Sequence, residues 1–278
     1  MTLIDSHSHV NFNAFKDDAD EVIRRSLSNE VWQINVGSQY QTSKRAVELA
    51  EKYSEGVYAA IGLHPIHVNT GFKTKADNEE SGTAIEDFDI DKYRQLALSS
   101  KKVVAIGETG LDYYYKPKTR GRLEQFKTKQ RGVFEKQMAL AEELGLPIIF
   151  HCRFAHPDMI NVLNYKLQAT NYKLNGVVHC FTGTKEEAED YLKMGLYLGI
   201  NGIIFKLDLN EVIKDTPLEK MLIETDCPYL VPPMARAERN EPLFVKYVAE
   251  RIAEIKKTSF QEVVEATTRN ARELFKIG

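Results

Sequence analysis

Cysteine is scarce in this chain: three in 278 residues, Cys152, Cys180 and Cys227, an odd number set far apart. That excludes a disulfide framework and fits reduced thiols. Long apolar runs are also absent, and none reaches the ~18 residues a membrane span needs. No basic-then-apolar segment opens the chain, because Asp5, His7 and His9 interrupt it at once. The expectation is a cytoplasmic or otherwise unsecreted protein with no membrane partner. Charge of one sign is lacking too. A net charge of −3 argues against a protein that coats nucleic acid by bulk electrostatics. Two bound divalent cations would make the total slightly positive and concentrate that charge in one pocket. There is no internal repeat. No Gly-rich turn follows the first apolar run, so the signature of a dinucleotide-binding sheet is missing and no organic cofactor is expected.

What is present is an ordinary globular composition, 43% hydrophobic and 28% charged. Short apolar runs alternate with amphipathic stretches, which implies βα units and a parallel sheet. Strands are predicted at 3–6, 32–36, 57–63, 103–107, 147–150, 177–179, 197–201 and 221–224. Helical periodicity covers 17–28, 42–53, 91–99, 123–144, 157–168, 185–194, 242–256 and 260–275. Eight strands with helices between them predict a closed (β/α)8 TIM barrel, one domain over 1–278; such barrels run near ~250 residues. Thr184 with Glu187 and Ser259 with Glu262 read as capping boxes, and Gly145 and Gly195 as helix stops. Residues 76–91 hold seven acidic side chains and no basic one. This stretch reads as a solvated loop inserted at about 70–91, between the third strand and its helix.

The ionisable residues fall where strands end. On the first strand, alternation puts Asp5, His7 and His9 on one face, and two imidazoles so spaced can approach one ion. Later strand ends carry His64, Glu108 to Asp112, His151 to Arg153, His179, and Glu224 to Asp226. Five of the seven histidines therefore sit at strand ends, which in a barrel form the rim of one face, where catalytic groups gather. Four imidazoles with two carboxylates can supply two divalent ions, especially with one carboxylate bridging. The cysteines follow His151, His179 and Asp226 directly; the neighbour of an inward residue points outward, so they read as small core residues.

The ordered motifs Asp5-Ser-His7-Ser-His9, Gly62-Leu-His64-Pro65, Gly107-Glu108-Thr-Gly110-Leu111-Asp112-Tyr113 and His151-x-Arg153-x-Ala155-x-x-Asp158 come first. His179-Cys-Phe-Thr-Gly183, Glu224-Thr-Asp226-x-Pro228-Tyr229-Leu230, Arg239-Asn240-Glu241-Pro242 and Asn270 before Leu274-Phe275 follow. Together they make the sequence resemble, over nearly its whole length, the TatD-type metal-dependent deoxyribonucleases of the wider metal-dependent hydrolase barrels. The resemblance implies hydrolysis of DNA phosphodiesters in the manner of a 3′–5′ exonuclease. It implies that His7, His9 and Asp226 hold one ion, that His151 and His179 hold another, and that Glu108 bridges both. A water or hydroxide between the ions would attack phosphorus, Asp226 taking its proton. His64 and Arg153 would grip phosphate oxygens, and Arg239 is a further substrate contact. The ligand types favour Zn²⁺ or Mn²⁺, with Mg²⁺ able to serve in activity. The expected partner is DNA, the expected state a monomer.

Some positions depart from that pattern. Ile66 separates Pro65 from His67 where many relatives read His-Pro-His, so His67 is expected at the surface, and His156 likewise. Between 116 and 131 seven basic residues face one acid, Glu124. Lys116, Lys118, Arg120 and Arg122 are expected to steer a nucleic-acid backbone, and Tyr113, Tyr114 and Tyr115 to offer stacking faces to unpaired bases. Lys127 to Arg131 read as a solvated helix face. Two other readings stand: a small-molecule amidohydrolase or phosphoesterase on the same barrel, and a non-catalytic nucleic-acid-binding barrel. Many amidohydrolases bridge their metals with a carboxylated lysine on strand four, where this chain has Glu108.

Overall fold

The computed structural model describes residues 2–72, 80, 85–169 and 173–278. In chain order the elements are β1 (Leu3–Ser8), α1 (Ala19–Ser28), β2 (Val31–Val36), α2 (Tyr40–Glu51), β3 (Val57–Ile61) and α3 (Ile90–Ser99). Then come β4 (Val103–Asp112), α4 (Arg120–Leu144), β5 (Ile148–Arg153), α5 (His156–Ala169), β6 (Gly176–Val178) and α6 (Lys185–Lys193). The chain ends with β7 (Tyr197–Ile200), α7 (Asn210–Asp215), β8 (Met221–Ile223), α8 (Val245–Lys256) and α9 (Phe260–Phe275). The strands form one sheet in sequential order, each parallel to the next. The end of β8 returns to β1: the Asp226 N–H donates to His7 O at 2.9 Å and the His9 N–H to Cys227 O at 2.9 Å. The sheet thus curls into a nearly closed barrel with helices between its strands.

Every strand sends an apolar side chain into a common interior cluster: Ile4, Ile34, Ala60, Val104, Ile149, Val177, Tyr197 and Leu222. Leu274 and Phe275 of α9 pack against it, and the Asn270 amide fastens that helix by donating to Leu218 O (2.7 Å) and Met221 O (2.8 Å). The larger cluster lies between sheet and helices. With its base packed by apolar groups, the barrel is left with polar residues at the other end of its strands.

β4 runs five residues past its expected end at Gly107. The glycines there are not terminators. The ladder to β5 shifts between Ile106 and Thr109, and Gly107 adopts φ 156°, where a Cβ would lie 2.7 Å from Ile149 Cβ. A glycine inside a strand marks such a bulge or close approach. The short α7 was not expected, being too brief to show a period. Both predicted capping boxes form, and Gly145 and Gly195 take positive φ at helix ends.

Residues 73–79 and 81–84 of the acidic stretch lie outside the described residues. Those that are described correct the expectation of a wholly solvated loop. Glu80 is buried and bonded to His67 Nε2 at 2.6 Å and to the Ser38 hydroxyl. The Glu86 carboxylate accepts from the Tyr40 N–H and the Tyr93 hydroxyl, each at 3.0 Å. Asp89 caps α3 by accepting from the Asp91 and Lys92 N–H groups. The acids are fastenings. His67 and His156 are likewise buried, not at the surface: an acid partner compensates the first, and the Tyr191 hydroxyl lies 3.0 Å from Nδ1 of the second.

Candidate metal centre

The ends of β1, β4, β5, β6 and β8 deliver side chains to one place. His9 Nδ1 lies 2.8 Å from Val36 O, so it carries the proton and turns the Nε2 lone pair toward the barrel mouth. That atom lies 3.1 Å from His7 Nε2 and 3.3 Å from Asp226 Oδ1. Glu108 Oε2 sits 3.4 Å from His7 Nε2 and 4.0 Å from His9 Nε2. Its other oxygen, Oε1, is 2.6 Å from both His151 Nδ1 and His179 Nε2, which are 3.3 Å apart. One carboxylate therefore presents each oxygen to a different imidazole pair. The sets His7, His9, Glu108 and Glu108, His151, His179 each gather their ligand atoms within 4.8 Å.

These donors fit divalent cations. Two imidazole nitrogens facing at 3.1 Å repel unless a proton or a cation lies between them. Nitrogen and carboxylate donors mixed this way suit zinc or manganese. The electrostatics agree. Burial pushes the Glu108 carboxyl up, but His179, His64 and His151 outweigh it and hold it well below the carboxylate range. His179 moves the other way, well above its ordinary value, because Glu108 overrides burial. Asp226 stays ionised against its burial through His9 and His7. The acids demand positive charge, which protonated imidazoles supply here and which cations supply when they displace those protons.

Local backbone explains the aim of the side chains. Cys180 and Asp226, two and three residues past the ends of β6 and β8, take φ 44° and 57°, a left-handed conformation that Asp tolerates better than most residues. Asp5 joins neither cluster; its carboxylate accepts the Thr225 N–H (2.8 Å) and hydroxyl (2.5 Å), pinning β8 to β1. The thiols are no part of the donor set: the groups of ligand atoms gathered among the described residues contain His, Glu and Asp only, and burial raises Cys152 and Cys180 to about 12.

Two acids bear on the site in ways the motifs did not announce. Glu224, fully buried, accepts from the Cys180 N–H (2.7 Å) and Asn201 Nδ2 (3.1 Å), and it lies 3.4 Å from His179 Nδ1. It stands behind that ring, on the side opposite the Nε2 that faces Glu108. Asp112 Oδ2 lies 3.0 Å from His151 Nε2 and accepts from Arg153 Nε (2.8 Å) and Nη2 (2.7 Å). The period of two from Glu108 along β4 was the signal available for Asp112. His64 Nδ1 accepts the Ile66 N–H at 3.1 Å, leaving Nε2 as the protonated atom, 3.4 Å from Glu108 Oε1. Burial and the charge of His151 push His64 down to about 4, so it is a neutral donor at pH 7.

The remaining expected contacts are more dispersed. Arg239 is engaged by Asp18 (Nη1–Oδ1 3.0 Å, Nη2–Oδ2 2.5 Å), Glu241 (3.2 Å) and Ala14 O (2.6 Å), and it stacks over Phe15. That guanidinium straps the loop after β8 to the start of α1. Lys118 and Arg120 are exposed at the start of α4. Tyr113 is buried and covered by Lys127, itself bonded to Asp158 at 2.8 Å; it offers no stacking face.

The family described as TatD related DNase matches residues 4–276. The chain belongs to that family. This TatD-family chain is 40% identical over 279 residues to the uncharacterized metal-dependent hydrolase YabD of Bacillus subtilis (strain 168), covering 99% of each. It is 33% identical over 273 residues to a 3′-5′ ssDNA/RNA exonuclease TatD of Edwardsiella piscicida, covering 95% of each. The crystal structure of YjjV, a TatD homolog from Escherichia coli K12, matches with TM-score 0.80 and 27% identity, over 99% of this chain and 98% of that one. As a TatD-family protein the chain is a metal-dependent hydrolase. Among the described residues, no helix is long and apolar enough to cross a membrane.

Proposed function

We propose that the protein is a two-metal phosphodiesterase that hydrolyses DNA from a 3′ end. The observation that carries this is the split presentation of Glu108, whose two oxygens face two separate imidazole pairs. His7, His9 and Asp226 hold one cation, His151 and His179 the other, and Glu108 serves both. Bound divalent cations neutralise the charge developing on attacking and leaving oxygens and make water acidic enough to react near neutral pH. Asp226, kept ionised, takes the proton that water gives up. His64 Nε2–H and the Arg153 guanidinium donate to the phosphate oxygens, the second with a planar fork suited to them. Asp112 keeps that guanidinium in place. Lys118 and Arg120 draw the backbone toward the rim. Arg239, with Nη1 and Nη2 both bonded within the protein, acts by holding the rim loop.

The relatives named as exonucleases support the substrate class, and the charged fork of Arg153 favours phosphate esters over amides. The test is digestion of a 5′-labelled single-stranded oligonucleotide with and without chelator. A ladder shortening from the 3′ end, abolished by chelator and restored by Mn²⁺ or Mg²⁺, is expected. Chelator-insensitive cleavage, or turnover of amides without turnover of phosphodiesters, would overturn the reading.

A further inference from the structure

The strand ends beside the metal centre carry an aromatic cluster that the core does not use. Tyr114, Tyr115 and Phe154 are 52%, 43% and 68% exposed. Tyr114 meets the Tyr115 ring edge-on at 4.6 Å and lies 5.7 Å from the Phe154 ring at an interplanar angle of 31°. The Arg153 guanidinium covers the Tyr114 ring at 4.7 Å. Grouped aromatics left in water are costly unless something covers them.

Their position follows from the sheet. Asp112 pairs with Arg153 across the β4–β5 ladder, and the Tyr113 N–H donates to Arg153 O at 2.8 Å. Tyr113 turns inward, so the residues that follow each strand, Tyr114 and Phe154, emerge side by side. Phe154 does so at φ 57°, an uncommon conformation for a bulky side chain and one that tends to persist where function requires it. The cluster is tied to the chemistry through a single carboxylate. Asp112 Oδ1 accepts the Tyr114 N–H at 2.9 Å, while Oδ2 holds Arg153 and lies 3.0 Å from His151 Nε2.

We infer that Tyr114, Tyr115 and Phe154 form a stacking subsite for an unpaired nucleobase next to the phosphate gripped by Arg153. This rests on the phosphodiesterase reading and adds to it the determinant of strand selectivity. Aromatic faces bind any base, because every base has a π surface. A base inside a duplex has its own faces covered by its neighbours. The subsite therefore selects single strands and frayed ends, and it does not discriminate DNA from RNA, since stacking ignores the 2′-hydroxyl. Lys116, Lys118 and Arg120, exposed beyond Tyr115, continue the path with charge.

The probe is a short fluorescein-labelled single strand with phosphorothioate linkages, which resist cleavage, and the same strand with its 3′-terminal bases replaced by abasic tetrahydrofuran units. Binding to the metal-loaded protein is read by anisotropy. The wild type should prefer the intact strand by roughly 5- to 150-fold per base, the scale of base–aromatic stacking. The Tyr114→Ala/Phe154→Ala protein should bind both strands about equally, while the Phe154→Tyr protein keeps the preference. Both changes are at exposed side chains, and thermal melting checks that the fold is kept. A wild type that binds neither strand or shows no preference, or a double variant that keeps the preference, would overturn the subsite. Preference without metal-dependent cleavage would uphold the subsite and sink the hydrolytic reading, so the two fail separately.

Discussion

Replacing Glu108 with Gln is the perturbation that reaches furthest into the proposed centre. The shape is kept, but one oxygen becomes an amide donor and the charge is lost. That carboxylate lies within 4.0 Å of five imidazole nitrogens, those of His7, His9, His64, His151 and His179. Removing one preorganised electrostatic group from an active site costs roughly 10²–10³ in kcat. Glu108 serves two clusters, so a loss of at least ~10³-fold is expected, about 4 kcal/mol at 1.36 kcal/mol per decade. Metal-linked stability gives a second reading of the same change. At 100-fold excess over Kd, bound ligand stabilises by about 2.7 kcal/mol, and at ~2–4 °C per kcal/mol for a chain of this size the wild-type Tm should rise roughly 5–10 °C. A hundredfold weaker affinity leaves about 0.4 kcal/mol, a shift near ~1 °C. The assays are oligonucleotide cleavage and thermal melting with and without Mn²⁺. Near-normal cleavage by Glu108→Gln, or an undiminished metal-induced rise in Tm, would refute the bridging role.

Asp226→Asn should remove most turnover and leave the metal-free Tm close to wild type; a parallel fall in melting temperature would mark Asp226 as structural. Charge-neutralising Lys118, Arg120 and Arg122 together should lower the slope of log affinity against log salt by up to ~2, at ~0.7 per single-strand phosphate contact; an unchanged slope rules out steering. Glu80→Gln addresses the buried His67 pair. Burial pushes Glu80 up, but the hydrogen bond and charge of His67 and the Ser38 hydroxyl bring it below the ordinary glutamate value of 4.5. The ionised form is thus the stabilising one: the wild type should exceed Glu80→Gln in denaturant stability at pH 7 and lose that advantage as pH falls below 4.5. A difference that is constant with pH would exclude the ion pair.

The barrel was legible because each strand is short, apolar and followed by an amphipathic stretch, and eight such units leave little choice of architecture. The convergence of His7, His9, Glu108, His151, His179 and Asp226 was legible for a related reason: ionisable residues at the ends of buried strands have one shared place to go. What escaped was set by tertiary partners. Nothing local to His67 reveals that Glu80 returns from the acidic stretch to meet it, so a composition read as solvated hid a buried pair. Arg239 reads as a candidate anion contact until Asp18, more than 200 residues earlier in the chain, is seen to engage it. The tyrosine run 113–115 looked uniform, yet the end of the β4 ladder turns Tyr113 inward and leaves Tyr114 and Tyr115 in solvent. The extension of β4 past Gly107 escaped because glycine serves bulges and strand ends alike.

Anomalous diffraction at the manganese edge, from crystals equilibrated with Mn²⁺, tests the central claim most directly. Two peaks on either side of the Glu108 carboxylate are predicted, one bordered by His7, His9 and Asp226 and the other by His151 and His179. A single peak remote from Glu108, or none at saturating metal, would contradict the account.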